Sequence, residues 1–143
     1  MKIHFFVEGV PKPGGSKNGF YSEKLNRVLI VDASKNKDWR LAVETYARDA
    51  YQGKPLEGPL KLTVTFLMPR PKHHYNAKGG MKPTAPLFHI GKPDTTKLLR
   101  STEDSLKGIV WKDDCLVCVQ TATKLYANEV AGAEIVIETL EDE

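Results

Sequence analysis

The sequence predicts an α+β fold: a small mixed or antiparallel sheet packed with two α-helices in a single domain. Three observations lead there. Five stretches read as single strands or a hairpin, and apolar residues recur with a helix's period in two. The order is strands, helix, strand, helix, strands, which suits helices segregated onto one sheet. The length, 143 residues, suits one hydrophobic core and leaves little room for a second.

The first strand is "IHFFVEG". "VPKPGGSKNG" follows as a loop, because two prolines and a glycine pair cannot continue a ladder. "FYSEKLNRVLIV" reads as a hairpin turning near Lys24–Asn26. "DASKNKDWRLAVETYARDAYQG" reads as a helix, with Trp39, Val43, Tyr46, Ala47 and Ala50 at helical spacing and Gly53 to end it. "LKLTVTFLMP" is a β-branched strand. Residues 69–93 form a Pro/Gly-rich segment of a length that often carries function. A second helix spans about 94–107, with an apolar stripe of Leu98, Leu99, Thr102, Leu106 and Ile109, and Gly108 stops it. "CLVCVQTATKLYA" and "AEIVIETL" are two more strands, expected to pair antiparallel around a turn at Asn128.

Composition narrows the function classes. Hydrophobic content of 41% and charged content of 27% are those of an ordinary soluble domain. No apolar run approaches the roughly 20 residues that span a bilayer. "MKIHFFVEGV" is too short in apolar length for a signal peptide, so a cytoplasmic location is expected. Cys115 and Cys118 form a C-x-x-C without the second pair that a structural zinc needs, and read as ordinary strand residues.

The net charge of +3 is modest, but its distribution is not uniform. No acid stands between Glu57 and Asp94, a window holding Lys61, Arg70, Lys72, Lys78, Lys82 and Lys92 with His73, His74 and His89. Such a one-sign stretch suits an anionic partner, since lysines and arginines neutralise phosphates. A solvated, lysine-rich loop is the plainer alternative.

Carboxylates return in "GKPDTTKLLRSTEDSLKGIVWKDDCLV". Asp94 opens the second helix, and Asp113 and Asp114 precede the next strand. If helix and strand bring them together, three acids meet beside Lys92, Lys97 and Arg100. Mg²⁺ takes oxygen ligands from one or two carboxylates and from substrate phosphates, and nearby cations hold the phosphate for attack. Each acid also has a simpler role. Asp94 suits a helix N-cap, the Asp113–Asp114 pair suits a turn, and Glu103 and Asp104 suit a solvated helix face with Arg100 pairing to Asp104.

"KPDTTKLLRSTEDSLKGIVWKDDCLV" resembles the core motif of the RusA-type Holliday-junction resolvases, a family common in bacteriophages and prophages. That motif runs roughly K-P-D-x-D-x-L-x-K, then D-[AS]-L, then a glycine and an aspartate pair before a short apolar run. "FFVEGVPKPGGSK" also resembles the family's opening strand and basic loop. The resemblance implies a homodimeric endodeoxyribonuclease using Mg²⁺, with Mn²⁺ as a substitute, that cuts four-way junctions or related branched DNA in recombination, repair or phage DNA processing. It implies metal-binding and catalytic roles for Asp94, Asp113 and Asp114, and places Arg100 where the family carries a lysine. Cationic DNA contacts are then expected at Lys12, Lys17, Lys72, Lys78, Lys82, His89, Lys92 and Lys97. One position departs: Thr96 stands where the family has its second aspartate. Either Asp104 completes the shell, or the protein is a weak or inactive binder of branched DNA. An unrelated metal-dependent phosphoesterase with a small substrate is the remaining alternative.

Overall fold

The computed structural model describes residues 1–14, 18–22, 27–31 and 37–141. Strand β1 (Lys2–Glu8) leads to a two-stranded antiparallel hairpin of β2 (Asn18–Ser22) and β3 (Arg27–Val31). The expected hairpin is therefore present, while its turn lies outside the described residues. Helix α1 (Lys37–Ala50), strand β4 (Leu60–Met68), helix α2 (Thr95–Leu106), and strands β5 (Val117–Tyr126) and β6 (Gly132–Thr139) follow.

Four strands form one mixed sheet in the order β1-β6-β4-β5. β4 is central. Leu60, Leu62, Val64, Phe66 and Met68 are all buried, and the residues between them are half-buried. This is the alternation of a strand covered on one face. β4 pairs parallel with β5 and antiparallel with β6. The parallel pair needs a crossover, which residues 69–116, with α2, provide.

The expected antiparallel pairing of β5 with β6 is not found. β6 lies between β1 and β4, pairing antiparallel with both, and β5 takes the far edge. The five residues 127–131 cross the end of β4 instead of turning back. Ala127 N–H donates to Met68 O at 2.7 Å, and Gly9 N–H donates to Ala131 O at 3.1 Å. Two interstrand spacings amount to about 10 Å, well within the reach of five residues. Burial decides the order. Ile135 and Ile137 of β6 are buried, whereas Cys118 to Thr121 of β5 are exposed.

Both helices cover the same face of the sheet. Trp39, Val43 and Ala47 of α1 join Leu98 and Leu106 of α2, and Val110 and Trp111 beyond it, in one core with Ile3, Val7 and the inward residues of β4 and β6. Tyr46 and Ala50, placed on the α1 stripe by periodicity, are exposed. On α2 the buried set is Leu98, Ser101, Thr102, Ser105 and Leu106. The serine and threonine hydroxyls of Thr102 and Ser105 satisfy themselves on carbonyls four residues back, at 3.0 and 2.8 Å. Gly108 ends the segment at φ +84°, a backbone region that glycine enters without a Cβ penalty.

Among the described residues, no helix is long and apolar enough to cross a membrane.

Candidate active site

α2 carries most of the chemistry, and the loop after β1 fixes its position. Gly14 N–H donates to Lys97 O at 2.7 Å, and a Cβ on Gly14 would lie 2.8 Å from Ser101 N. Only a glycine lets this backbone approach the helix so closely.

Asp94 occupies the N-cap position of α2, but its side chain makes no capping bond. Its carboxylate is exposed and lies 3.9 Å from Lys97 Nζ, one helical turn on. Across the helix start, Lys124 of β5 donates to Gly91 O and Pro93 O at 2.6 and 2.8 Å. The "GKPD" segment is thus tied to the C-terminal half of β5.

Asp113 and Asp114 sit at the other end of that strand. Asp113 accepts from Cys115 N–H at 3.5 Å, capping a short 3₁₀ turn, and lies 3.9 Å from Lys107 Nζ. Asp114 accepts the indole N–H of buried Trp111 at 2.8 Å. That bond holds its carboxylate in a fixed orientation.

Asp114 faces two acids on the later turns of α2, Glu103 and Asp104. Burial, and then the Asp114 charge, push the Glu103 carboxyl above its ordinary range, against a hydrogen bond from Gln120. Asp104 is pushed up as well, by burial first, while Arg40 pulls it down before Asp114 adds to the rise; Arg100 and Lys107 also lower it. Three carboxylates therefore share one neighbourhood with three cations. Glu103 is half-buried and bonded to Gln120, so its reading as a solvated helix face is corrected. An acid three positions from a buried leucine lies at the edge of the buried stripe, where β5 shields it.

The structure thus brings together Asp114, Asp104 and Arg100 of the predicted site residues. Asp94 and Lys97 form a separate pair at the head of α2. Sequence reasoning missed Glu103, Gln120, Arg40 and Trp111 as members of the acidic neighbourhood. Trp111, three residues before Asp114, was the most legible of them; Arg40 comes from a different helix and left no local signal.

Among the described residues, no three His, Cys, Asp or Glu side chains are placed as a metal cage. The three acids match a hard divalent ion in donor type only, since they are not placed as its cage. All their donors are carboxylate oxygens, their mutual repulsion is relieved by a cation, and Mg²⁺ takes its remaining ligands from water and substrate phosphates.

The expected DNA contacts divide by position. Lys72, Lys78 and Lys82 are exposed along the segment between β4 and α2, and Lys92 and Lys97 are exposed beside Asp94. Lys12 is half-buried in the loop that docks on α2. Lys17 lies outside the described residues. His89 is half-buried, its ring edge-on to Tyr126 with centroids 4.9 Å apart. Burial, then the Lys124 charge, lower its pKa, which keeps the ring neutral. Cys115 and Cys118 are free and exposed.

A family model described as Endodeoxyribonuclease RusA matches residues 10–138, most of the chain. A Bacillus subtilis (strain 168) protein, named uncharacterized protein YqaN, is 27% identical over 135 residues. The match covers 89% of this chain and 89% of that protein.

Proposed function

Because the chain belongs to the RusA endodeoxyribonuclease family, we propose that it is a Mg²⁺-dependent, structure-selective endonuclease that cuts four-way junctions or related branched DNA. It acts as a homodimer, since paired cuts call for two equivalent sites related by a two-fold axis. The observation that carries this reading is the neighbourhood of Asp114, Glu103 and Asp104, with Arg100, Arg40 and Lys107 acting on it.

In that reading Asp114 and Asp104 hold the metal, and Asp94, paired with Lys97 at the head of α2, lies outside that shell. The ion, when bound, activates water and neutralises charge on the cleaved phosphodiester. Trp111 fixes the orientation of Asp114, and Gln120 that of Glu103. Arg100 offers a guanidinium to the scissile phosphate; its planar fork differs from the family's lysine and favours two-point contact with phosphate oxygens. The lysines between β4 and α2 lie on flanking backbone phosphates. Such contacts carry no sequence information, so selection rests on branch shape.

Cleavage of a labelled synthetic four-way junction, with and without Mg²⁺, is the test. Asp114→Asn should bring cleavage to background and leave junction binding intact, because the cationic surface is unchanged; Asp94→Asn should do the same only where the reaction centre lies at the head of α2. A variant that cleaves at the wild-type rate in Mg²⁺ removes its residue from the site.

A second reading is favoured by Thr96 and by the lack of a three-ligand group among the described residues. In it the protein binds branched DNA and cleaves it weakly or not at all. Tight junction binding with no product in Mg²⁺ or Mn²⁺ would select this alternative.

A further inference from the structure

The segment between β4 and α2 is built around one arginine. Arg70 Nε donates to Ala127 O at 3.2 Å, and Nη1 to Pro86 O at 2.7 Å. Its Nη2 donates to Asn128 Oδ1 at 3.3 Å, and the guanidinium lies 5.1 Å from the centre of the Tyr126 ring. Arg70 therefore ties Pro86 to Tyr126, Ala127 and Asn128, and acts as the anchor of the loop.

What it anchors is His74, a buried residue with 6% of its surface exposed. Arg70 Nη1 stands 3.2 Å from His74 Nδ1. A guanidinium only donates, so Nδ1 accepts and the ring proton resides on Nε2. The ring is further fixed edge-on between His73 and Tyr126, with centroids at 4.6 and 4.8 Å. The main chain then folds back: Lys82 N–H donates to His74 O at 2.9 Å, and Ala85 N–H to Lys82 O at 3.0 Å. Between these strands of the loop lies a pocket of about 290 Å³, lined by His73, His74, Lys82, Thr84, Ala85 and Pro86.

All the polar side chains of that lining can donate hydrogen bonds, and none is an acid. Burial first, and then the neighbouring His73, Arg70 and Lys82, lower the His74 pKa and favour its neutral ring. A pocket with a positive field, a fixed imidazole donor, an ammonium and a hydroxyl matches a tetrahedral oxyanion carrying several acceptor oxygens.

We propose that the pocket of His73, His74, Lys82 and Thr84 is a phosphate-binding site, separate from the acidic neighbourhood and seating a backbone phosphate of the bound DNA. It rests on the proposed function only for the owner of the phosphate. The ring of His74 packs on Tyr126, and Glu103 bonds Gln120, six residues earlier on β5. At ~3.3 Å per residue that separation is about 20 Å along the strand, or roughly six nucleotide steps of 3.4 Å. The pocket would hold a DNA arm at a fixed distance from the acids.

The test follows the histidine ring ¹⁵N and ¹H signals of the full chain while inorganic phosphate is added in a chloride buffer. His73 and His74 should shift saturably, with the distant His4 as the internal control. Lys82→Met and Thr84→Val should each weaken the effect at least several-fold, Thr84→Val without moving the His74 signal of the free protein. Equal shifts of all four histidines, or the same shifts with added chloride, would overturn the proposal. Adding an unbranched duplex then identifies the source. Displacement of the phosphate, with a salt slope for duplex binding smaller by about 0.9 in Lys82→Met, assigns the seat to DNA. Phosphate that stays bound under saturating duplex overturns that assignment. Loss of junction cleavage with the phosphate shifts intact would instead count against the proposed function alone.

Discussion

Glu103 shows how one side chain can be disfavoured by its surroundings. Burial and the Asp114 charge raise its pKa, and the Gln120 hydrogen bond only partly offsets them. A carboxyl whose pKa is raised on folding binds protons more tightly in the folded state. Its contribution to stability is therefore complete below its ordinary pKa, and is lost as the pH rises through the raised value. Asp104 follows the same sign. Glu103→Gln should accordingly melt at a higher temperature than wild type at pH 7 in metal-free buffer, and the gain should disappear near pH 4. Thermal unfolding at the two pH values checks this, and a variant equally destabilised at both would indicate that the Gln120 contact dominates. Mg²⁺ should narrow the pH 7 difference, since an ion bound among the acids stabilises only the folded wild type.

At the scale of elements, α2 is held by packing on one side and by backbone on the other. The Gly14 approach to Ser101 leaves no space for a methyl group, because the neighbouring atoms belong to the helix backbone and cannot rotate away. Gly14→Ala should cost about 1–3 kcal/mol, the usual range for overpacking, and should lower activity beyond its effect on folding by shifting the helix that carries Arg100 and Asp104. Chemical denaturation, with cleavage assayed well below the midpoint, separates the two effects. Elements governed by local period were legible in the sequence: β1, the hairpin, β4, and α2 with its Gly108 stop all appear where the alternation placed them. The sheet order was not legible. β5 and β6 both alternate, and nothing local says that the 127–131 link crosses β4 instead of turning back. That choice depends on which strand buries more surface beside β4. The same limit applies to the site. Asp114 and Arg100 stand out by motif, whereas Glu103 and Arg40 matter only because β5 and α1 pack beside α2.

Taken as a whole, the molecule separates its charges along β5. Arg70, His74 and His89 gather at Tyr126, and Glu103, with Asp114 acting on it, sits at Gln120. Asp94 belongs to the first end by its ties to Lys124, while Asp114 belongs to the second. From residue 94 to residue 103 the helix rises about 13 Å, so the chemistry is centred either at the head of α2 or among the later acids. Thr96 distinguishes these. It is exposed in the first turn, where an aspartate suits the helix dipole by ~0.3–1 kcal/mol wherever the metal sits. If the reaction centre lies at the head of the helix, Thr96→Asp supplies a missing ligand beside Asp94, and the Mg²⁺ concentration for half-maximal cleavage should fall. If it lies with Asp104, Glu103 and Asp114, the substitution should raise the melting temperature slightly and leave the Mg²⁺ requirement unchanged, while Asp104→Asn should raise that requirement. The proximity of Asp114 to the α2 acids, read from the rise it causes in their pKa values, favours the second outcome. Mg²⁺ titrations of junction cleavage by the two single variants and their double decide it, and insensitivity to both changes would exclude α2 as the metal-bearing element.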